Sequence, residues 1–206
     1  MPDKLNISKM TTSFLVAADI QKRLGDAKLA TAAQLAPLRA HAQSLGFTPG
    51  KAAKDFFGAS QTYEARVPVR GVKSAEFELH VQNLIKSGTK DKLALFVVRV
   101  KAGSNEDTYG FILEAPGGVV DKTREWTVQR GKVVLAHSWW SRTKACLKKS
   151  CVSACISALA TCPMADWTAY LGCLALKCGG CWVKCAACAT CNCKIWCRWG
   201  VGCCRN

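Results

Sequence analysis

All 14 cysteines of the chain lie between Cys146 and Cys204, and the 145 residues before them contain none. An even number of thiols crowded into one short stretch signals a covalent framework or a metal–thiolate cluster rather than ordinary core cysteine. Either confines the last 61 residues to a small, cross-linked fold and leaves the remainder to fold without cross-links. The chain therefore reads as a cysteine-free carrier joined to a compact, cysteine-locked peptide.

Cysteine spacing favours the covalent framework. Cys151/Cys155, Cys181/Cys185 and Cys193/Cys197 are each four residues apart, so on a helix each pair shares one face. Two antiparallel helices that each offer such a pair can be stapled twice, and staples stabilise a domain too small to bury enough apolar area. Connectivity stays open, because 14 cysteines allow on the order of 10^5 pairings. The competing pattern is Cys-x2-Cys at Cys178/Cys181, Cys185/Cys188 and Cys188/Cys191, with Cys-x-Cys at Cys191/Cys193. That spacing suits zinc or a soft metal. These pairs overlap one another, and the segment also carries Trp167, Tyr170, Trp182, Trp196 and Trp199, which a metal-folded cluster does not need. Disulfides are thus expected at Cys146, Cys151, Cys155, Cys162, Cys173, Cys178, Cys181, Cys185, Cys188, Cys191, Cys193, Cys197, Cys203 and Cys204, with no metal and no cofactor.

The net charge of +15 narrows the partner. In the cysteine-rich segment Lys148, Lys149, Lys177, Lys184, Lys194, Arg198 and Arg205 stand against Asp166 alone. Such an excess serves solubility or draws the segment to an anionic membrane, where each basic residue contributes about 1 kcal/mol. Tryptophan suits the membrane boundary, so Lys148, Lys149, Trp167, Lys177, Trp182, Lys184, Lys194, Trp196, Arg198 and Trp199 form the expected membrane-interacting set. The cations are dispersed and accompany no nucleic-acid motif, which argues against nucleic acid as a partner. No stretch reaches the roughly 20 uninterrupted apolar residues of a spanning helix; residues 152–176 come nearest, broken by Pro163 and Asp166. The run Phe14-Leu15-Val16-Ala17-Ala18 is too short for a signal-peptide core and ends at Asp19, so secretion would require a non-classical exporter.

Hydrophobic periodicity gives the carrier an α+β fold. Residues 11–58 look helical and alanine-rich. Leu35, Leu38, His41 and Leu45 recur at helical spacing up to the stop at Gly46, with Pro37 as an interruption, and a third short helix is expected around Phe56 and Phe57. From Gln61 the period becomes two. Tyr63, Ala65, Val67 and Val69 alternate with polar residues, as do Phe77, Leu79 and Val81. Further strands are expected at Leu93–Val100, Thr108–Glu114, Arg124–Gln129 and Lys132–His137, joined by glycine-rich turns. The result is an antiparallel sheet of about six strands behind N-terminal helices. The boundary falls near 138–144, dividing the chain into 1–140 and a small α-helical disulfide-rich domain, 141–206. Helices are expected over 147–161 and 167–178 about a turn at Cys162-Pro163, and from Gly180 to Cys191.

Catalysis finds no constellation. His41, His80 and His137 all lie in the carrier, with His80 read as solvated. A redox Cys-x-x-Cys would be expected beside a βαβ unit, which the tail lacks, so the chain reads as a non-enzyme. Gly117-Gly118 reads as a turn rather than an export cleavage site.

The run Cys146-Leu147-Lys148-Lys149-Ser150-Cys151-Val152-Ser153-Ala154-Cys155, the apolar stretch Ala165–Leu176 and the closing Cys203-Cys204 carry a resemblance. Together with the two-part plan, they resemble the halocin C8-like bacteriocin precursors. This tail is more cationic, and richer in tryptophan and cysteine. The resemblance implies a precursor whose C-terminal part is released as an antimicrobial peptide, secreted after processing, while the N-terminal part serves as leader or immunity protein. An exporter, a processing protease and binding between the two parts are expected with it, and the cut is expected near Arg142 or Lys144. The alternative from another class is a cytosolic metal-binding protein with a thiolate-rich tail.

Overall fold

The computed structural model describes residues 7–25, 32–69, 71–136 and 139–191. Strand β1 (Ile7–Phe14) leads into helices α1 (Ala17–Gly25) and α2 (Ala32–Ser44). The short β2 (Thr48–Pro49) and a 3-10 turn (Ala53–Asp55) precede the long strands β3 (Phe56–Val69) and β4 (Val72–Ile85). Then come β5 (Lys92–Ala102), β6 (Asn105–Ala115), β7 (Arg124–Gln129) and β8 (Lys132–Ala136). The sheet is antiparallel in the order β1-β3-β4-β5-β6-β7-β8, and β2 pairs with the end of β4 beyond the start of β3. Hairpin chemistry fixes its register. The β7–β8 loop is Arg130-Gly131, with φ of 51° and 74°, the double positive φ that a tight two-residue turn requires.

The α+β class and the strands from Gln61 onward stand where periodicity places them, but the N-terminal region corrects the expected reading. Residues 7–14 form an edge strand, with Phe14 opposite Ala59 and Ile7 opposite Ala65. Phe56 and Phe57 open β3 instead of forming a third helix. Their side chains go to opposite faces, Phe56 to the core beneath α1 and α2 and Phe57 to the other. That is strand geometry, and a six-strand expectation becomes eight strands.

Both faces of the sheet are covered. Leu84, Leu93, Leu95, Val97 and Ile112 pack under α1 and α2 with Ile20, Leu24, Leu35 and Leu38. The opposite row of Ala59, Tyr63, Phe77, Leu79, Val81, Phe96, Val98, Phe111 and Leu113 meets the cysteine-rich segment in one hydrophobic core. Strands covered on both sides read as continuous apolar runs, which is why β5 is buried from Leu93 to Val98.

This double cover also corrects His80, which is fully buried. Its Nε2 lies 3.3 Å from Glu78 Oε2. Glu78 also binds Arg23 of α1 at 2.6 and 2.5 Å and Arg99 of β5 at 3.1 Å. Burial works to raise the Glu78 pKa; the His80 hydrogen bond and the Arg99 and Arg23 charges outweigh it and hold the carboxyl at about 2. The polar side of the alternating strand is thus an ion cluster sealed by α1.

Beyond the sheet the described residues, 139–191, are mainly helical: α3 (Trp139–Ser150), α4 (Ser153–Thr161), α5 (Trp167–Cys178) and α6 (Gly180–Cys191). The helix expected over 147–161 is broken, because Val152 is extended (φ −65°, ψ 158°) ahead of α4. The first tail helix also begins earlier than expected, at Trp139. Asp166 caps α5 by accepting from the Ala169 N–H at 2.8 Å. Gly179, at φ 53°, turns the chain into α6, and the two helices bend by 118°.

Candidate functional site

Among the described residues the four tail helices, α3 to α6, fold back on themselves as a hairpin with rungs at four levels. Cys162–Cys173 closes the turn, followed outward by Cys155–Cys178, Cys151–Cys181 and Cys146–Cys185. Their sequence separations grow in order, 11, 23, 30 and 39, which is the signature of nested rungs between antiparallel arms. One arm is α3 and α4, the other α5 and α6. Cys181 and Cys185 share a face of α6, as their spacing predicts, and take Cys151 and Cys146 as partners. Cys151 and Cys155 do not share a helix, because Cys151 follows the end of α3 and Cys155 lies in α4. Cys188 is disulfide-bonded too. Cys193, Cys197, Cys203 and Cys204, and the side chain of Cys191, lie outside the described residues. The sulfurs of Cys178, Cys181, Cys185 and Cys188 are therefore bonded to sulfur rather than held as thiolates. Among the described residues no group of three or more His, Cys, Asp or Glu side chains could hold a metal.

The hairpin sits on the sheet through aromatic side chains. Trp167 and Trp182 are fully buried. Trp167 stands edge-on to Phe96, with ring centroids 5.8 Å apart, and donates its Nε1–H to the Lys92 carbonyl at 3.1 Å. Trp182 packs 5.8 Å from Phe57. Trp139 rests on Phe96 and Phe111, and its Nε1–H reaches Thr190 Oγ1 of α6 at 2.8 Å. Burial pushes up the pKa of Tyr170, whose hydroxyl donates to the Leu159 carbonyl.

Three polar side chains of the sheet hold the hairpin in place. Glu125 Oε2 accepts from the backbone N–H groups of Trp139 at 2.8 Å and Trp140 at 3.4 Å, capping the start of α3 with a carboxylate where the helix dipole favours one. Asn83 Nδ2 donates to Thr168 Oγ1 at 2.8 Å, and its Oδ1 accepts from the Thr168 N–H at 3.3 Å. Gln61 Nε2 donates to Thr12 Oγ1 at 2.7 Å and to the Gly180 carbonyl at 3.1 Å. The buried Tyr63 hydroxyl donates to Gln61 Oε1 and fixes which way that amide points.

Sequence reasoning missed these three residues, although a signal exists. Asn83 continues the row of Phe77, Leu79 and Val81, Gln61 stands opposite Phe77, and Glu125 stands opposite Leu113. A polar residue in an apolar row, on a face that something must cover, marks a contact with whatever covers it.

Of the expected membrane-interacting residues, Lys148, Lys149 and Lys177 are exposed and Lys184 is half-buried. Trp167 and Trp182 face the sheet instead of solvent. Lys194, Trp196, Arg198 and Trp199 lie outside the described residues. Arg142 and Lys144, the expected cleavage region, fall inside α3, as does the expected boundary at 140/141. Lys144 pairs with Asp121 of the sheet half at 3.5 Å. Among the described residues no single helix is long and apolar enough to cross a membrane.

Comparison with protein-family models, with curated proteins and with solved structures finds no match for this chain.

Proposed function

We propose that the chain is the precursor of a cationic, disulfide-rich antimicrobial peptide, a bacteriocin, with residues 141–206 as the active part and 1–140 as leader or immunity domain. One observation carries this reading: the apolar, tryptophan-bearing side of a covalently locked hairpin is hidden by the cysteine-free sheet, while Lys148, Lys149 and Lys177 stay exposed. That arrangement suits a membrane-active peptide stored in a masked form. On release, lysines and arginines bring the peptide to anionic lipid, and Trp167, Trp182 and the apolar helix faces enter the interface. The rungs keep it folded away from the sheet and resist proteases. No catalytic step is involved. Export and one proteolytic cut complete the scheme, and because Arg142 and Lys144 lie within α3, a protease acting there must first unwind its opening turns.

The test is the intact mass of the native product, without reduction, from culture supernatant and cell lysate. The reading expects a secreted fragment of about 60 residues, lighter than its reduced form by about 2 Da per disulfide, that permeabilises anionic vesicles and inhibits related strains. A full-length intracellular chain with reduced thiols, or a fragment inert towards both, refutes it.

A further inference from the structure

Local helix geometry does not determine which rungs form. Cys151/Cys155 and Cys181/Cys185 have the same four-residue spacing. A hairpin slipped by one helical turn, with Cys146–Cys188, Cys151–Cys185, Cys155–Cys181 and Cys162–Cys173, therefore matches the spacings of the two arms as well as the observed ladder does. Such a slip carries α6 about 5.4 Å along α3. The tail's helices are 9 to 12 residues long, and helices of that length are marginal in isolation, so they hold no register before they pack.

The sheet does distinguish the two ladders. Glu125 fixes where α3 begins. Gln61, braced by Tyr63 and Thr12, fixes where α6 begins at Gly180, and Asn83 fixes α5 at Thr168. Trp182, two residues past Gly180, fills the space beside Phe57. A one-turn slip of α6 strands the buried Gln61 amide, separates Trp139 Nε1 from Thr190 Oγ1, and takes Trp182 off the sheet. Unpaired buried polar groups are costly, whereas each ladder makes four rungs, the slipped one taking Cys188 out of its own disulfide and leaving Cys178 in its place.

We propose that the cysteine-free part is the folding template of its own C-terminal segment, selecting the disulfide register through Glu125, Gln61 and Asn83. This function is independent of what the tail does once released. Oxidation needs an external acceptor, for which a glutathione disulfide suffices: each rung forms as two chain thiols lose two electrons and two protons, and one oxidised glutathione becomes two reduced molecules.

The test uses the full chain, reduced and unfolded, then reoxidised in a glutathione buffer. Trypsin after Lys149, Lys177, Lys184 and Lys194 separates the ladders. In the observed ladder the 150–177 peptide is joined to 178–184 alone; in the slipped one it is joined to 185–194 as well. The disulfide peptides can be counted by mass spectrometry whether or not a variant folds. Three chains are compared: wild type, Gln61→Ala/Glu125→Ala, and Leu95→Ala, a core truncation on the opposite face of the sheet. Wild type and Leu95→Ala are expected to favour the observed ladder within twofold of each other, and the anchor variant to lower that preference at least tenfold. Equal loss in both variants would make overall stability the selector, and no loss in either would make the tail its own template. Either result overturns the proposal.

Discussion

Replacing Glu125 with alanine removes the carboxylate that receives the first N–H groups of α3. The side chain is 7% exposed, and the Trp139 and Trp140 it serves are each 3% exposed, so water does not substitute readily for the lost acceptor. A hydrogen bond to a charged group contributes about 1.5–3 kcal/mol, and an anion at a partly buried helix N-terminus adds up to about 1–2 kcal/mol. Glu125→Ala is therefore expected to destabilise the oxidised protein by about 3 kcal/mol. Glu125→Gln keeps an oxygen acceptor and loses only the charge, so it should cost about 1 kcal/mol. Urea unfolding of the oxidised chain, followed by tryptophan fluorescence, measures both. Hydrogen exchange at the Trp139 and Trp140 amides should accelerate more in the alanine variant than in the glutamine one. If the alanine variant lies within about 0.5 kcal/mol of wild type, or if the glutamine variant is as damaged as the alanine one, the capping argument fails.

Three further outcomes follow from the packing. Glu78 has its folded pKa, about 2, below the unfolded value of 4.5, so its ionised form, facing Arg23, Arg99 and His80, stabilises the fold. That contribution, about 3 kcal/mol, is complete above the unfolded value and is lost as pH falls through 4.5 towards 2. Urea midpoints measured from pH 6 to 2 should fall along this limb in wild type and along a flatter one in Glu78→Gln; superimposable limbs would exclude Glu78 as their source. Removing the Cys155–Cys178 rung by a double serine substitution frees a loop of 23 residues, already shortened by the rungs on either side. The cost should be about 1–3 kcal/mol in a thermal melt, with a melt identical to wild type counting against the ladder. Trp167→Ala should cost about 3–5 kcal/mol and uncover the apolar row of the sheet, read as increased binding of an apolar dye. Unchanged dye binding would mean that the sheet face is not what Trp167 covers.

Periodicity and spacing alone carried a good part of the molecule. Alternation from Gln61 onward located the long strands, and the four-residue spacing of Cys181 and Cys185 located a stapled helix face, because both are local properties of backbone geometry. Residues 7–14 became a strand only through pairing with β3, since an edge strand of threonine, serine and methionine has no buried face to mark it. His80 was misread for a related reason. Alternation reveals that a strand has two faces, but not that helices cover both.

By itself the sequence determined the class of the fold, the division between a cysteine-free and a cysteine-rich part, and the preference for disulfides in a helical tail. The tertiary structure alone decided which sulfurs meet, and that Trp167 and Trp182 lie against the sheet instead of facing solvent. Pairing depends on helix register, and register depends on anchors such as Glu125, Asn83 and Gln61. These residues come from strands distant in the chain, and no local pattern in the tail encodes them.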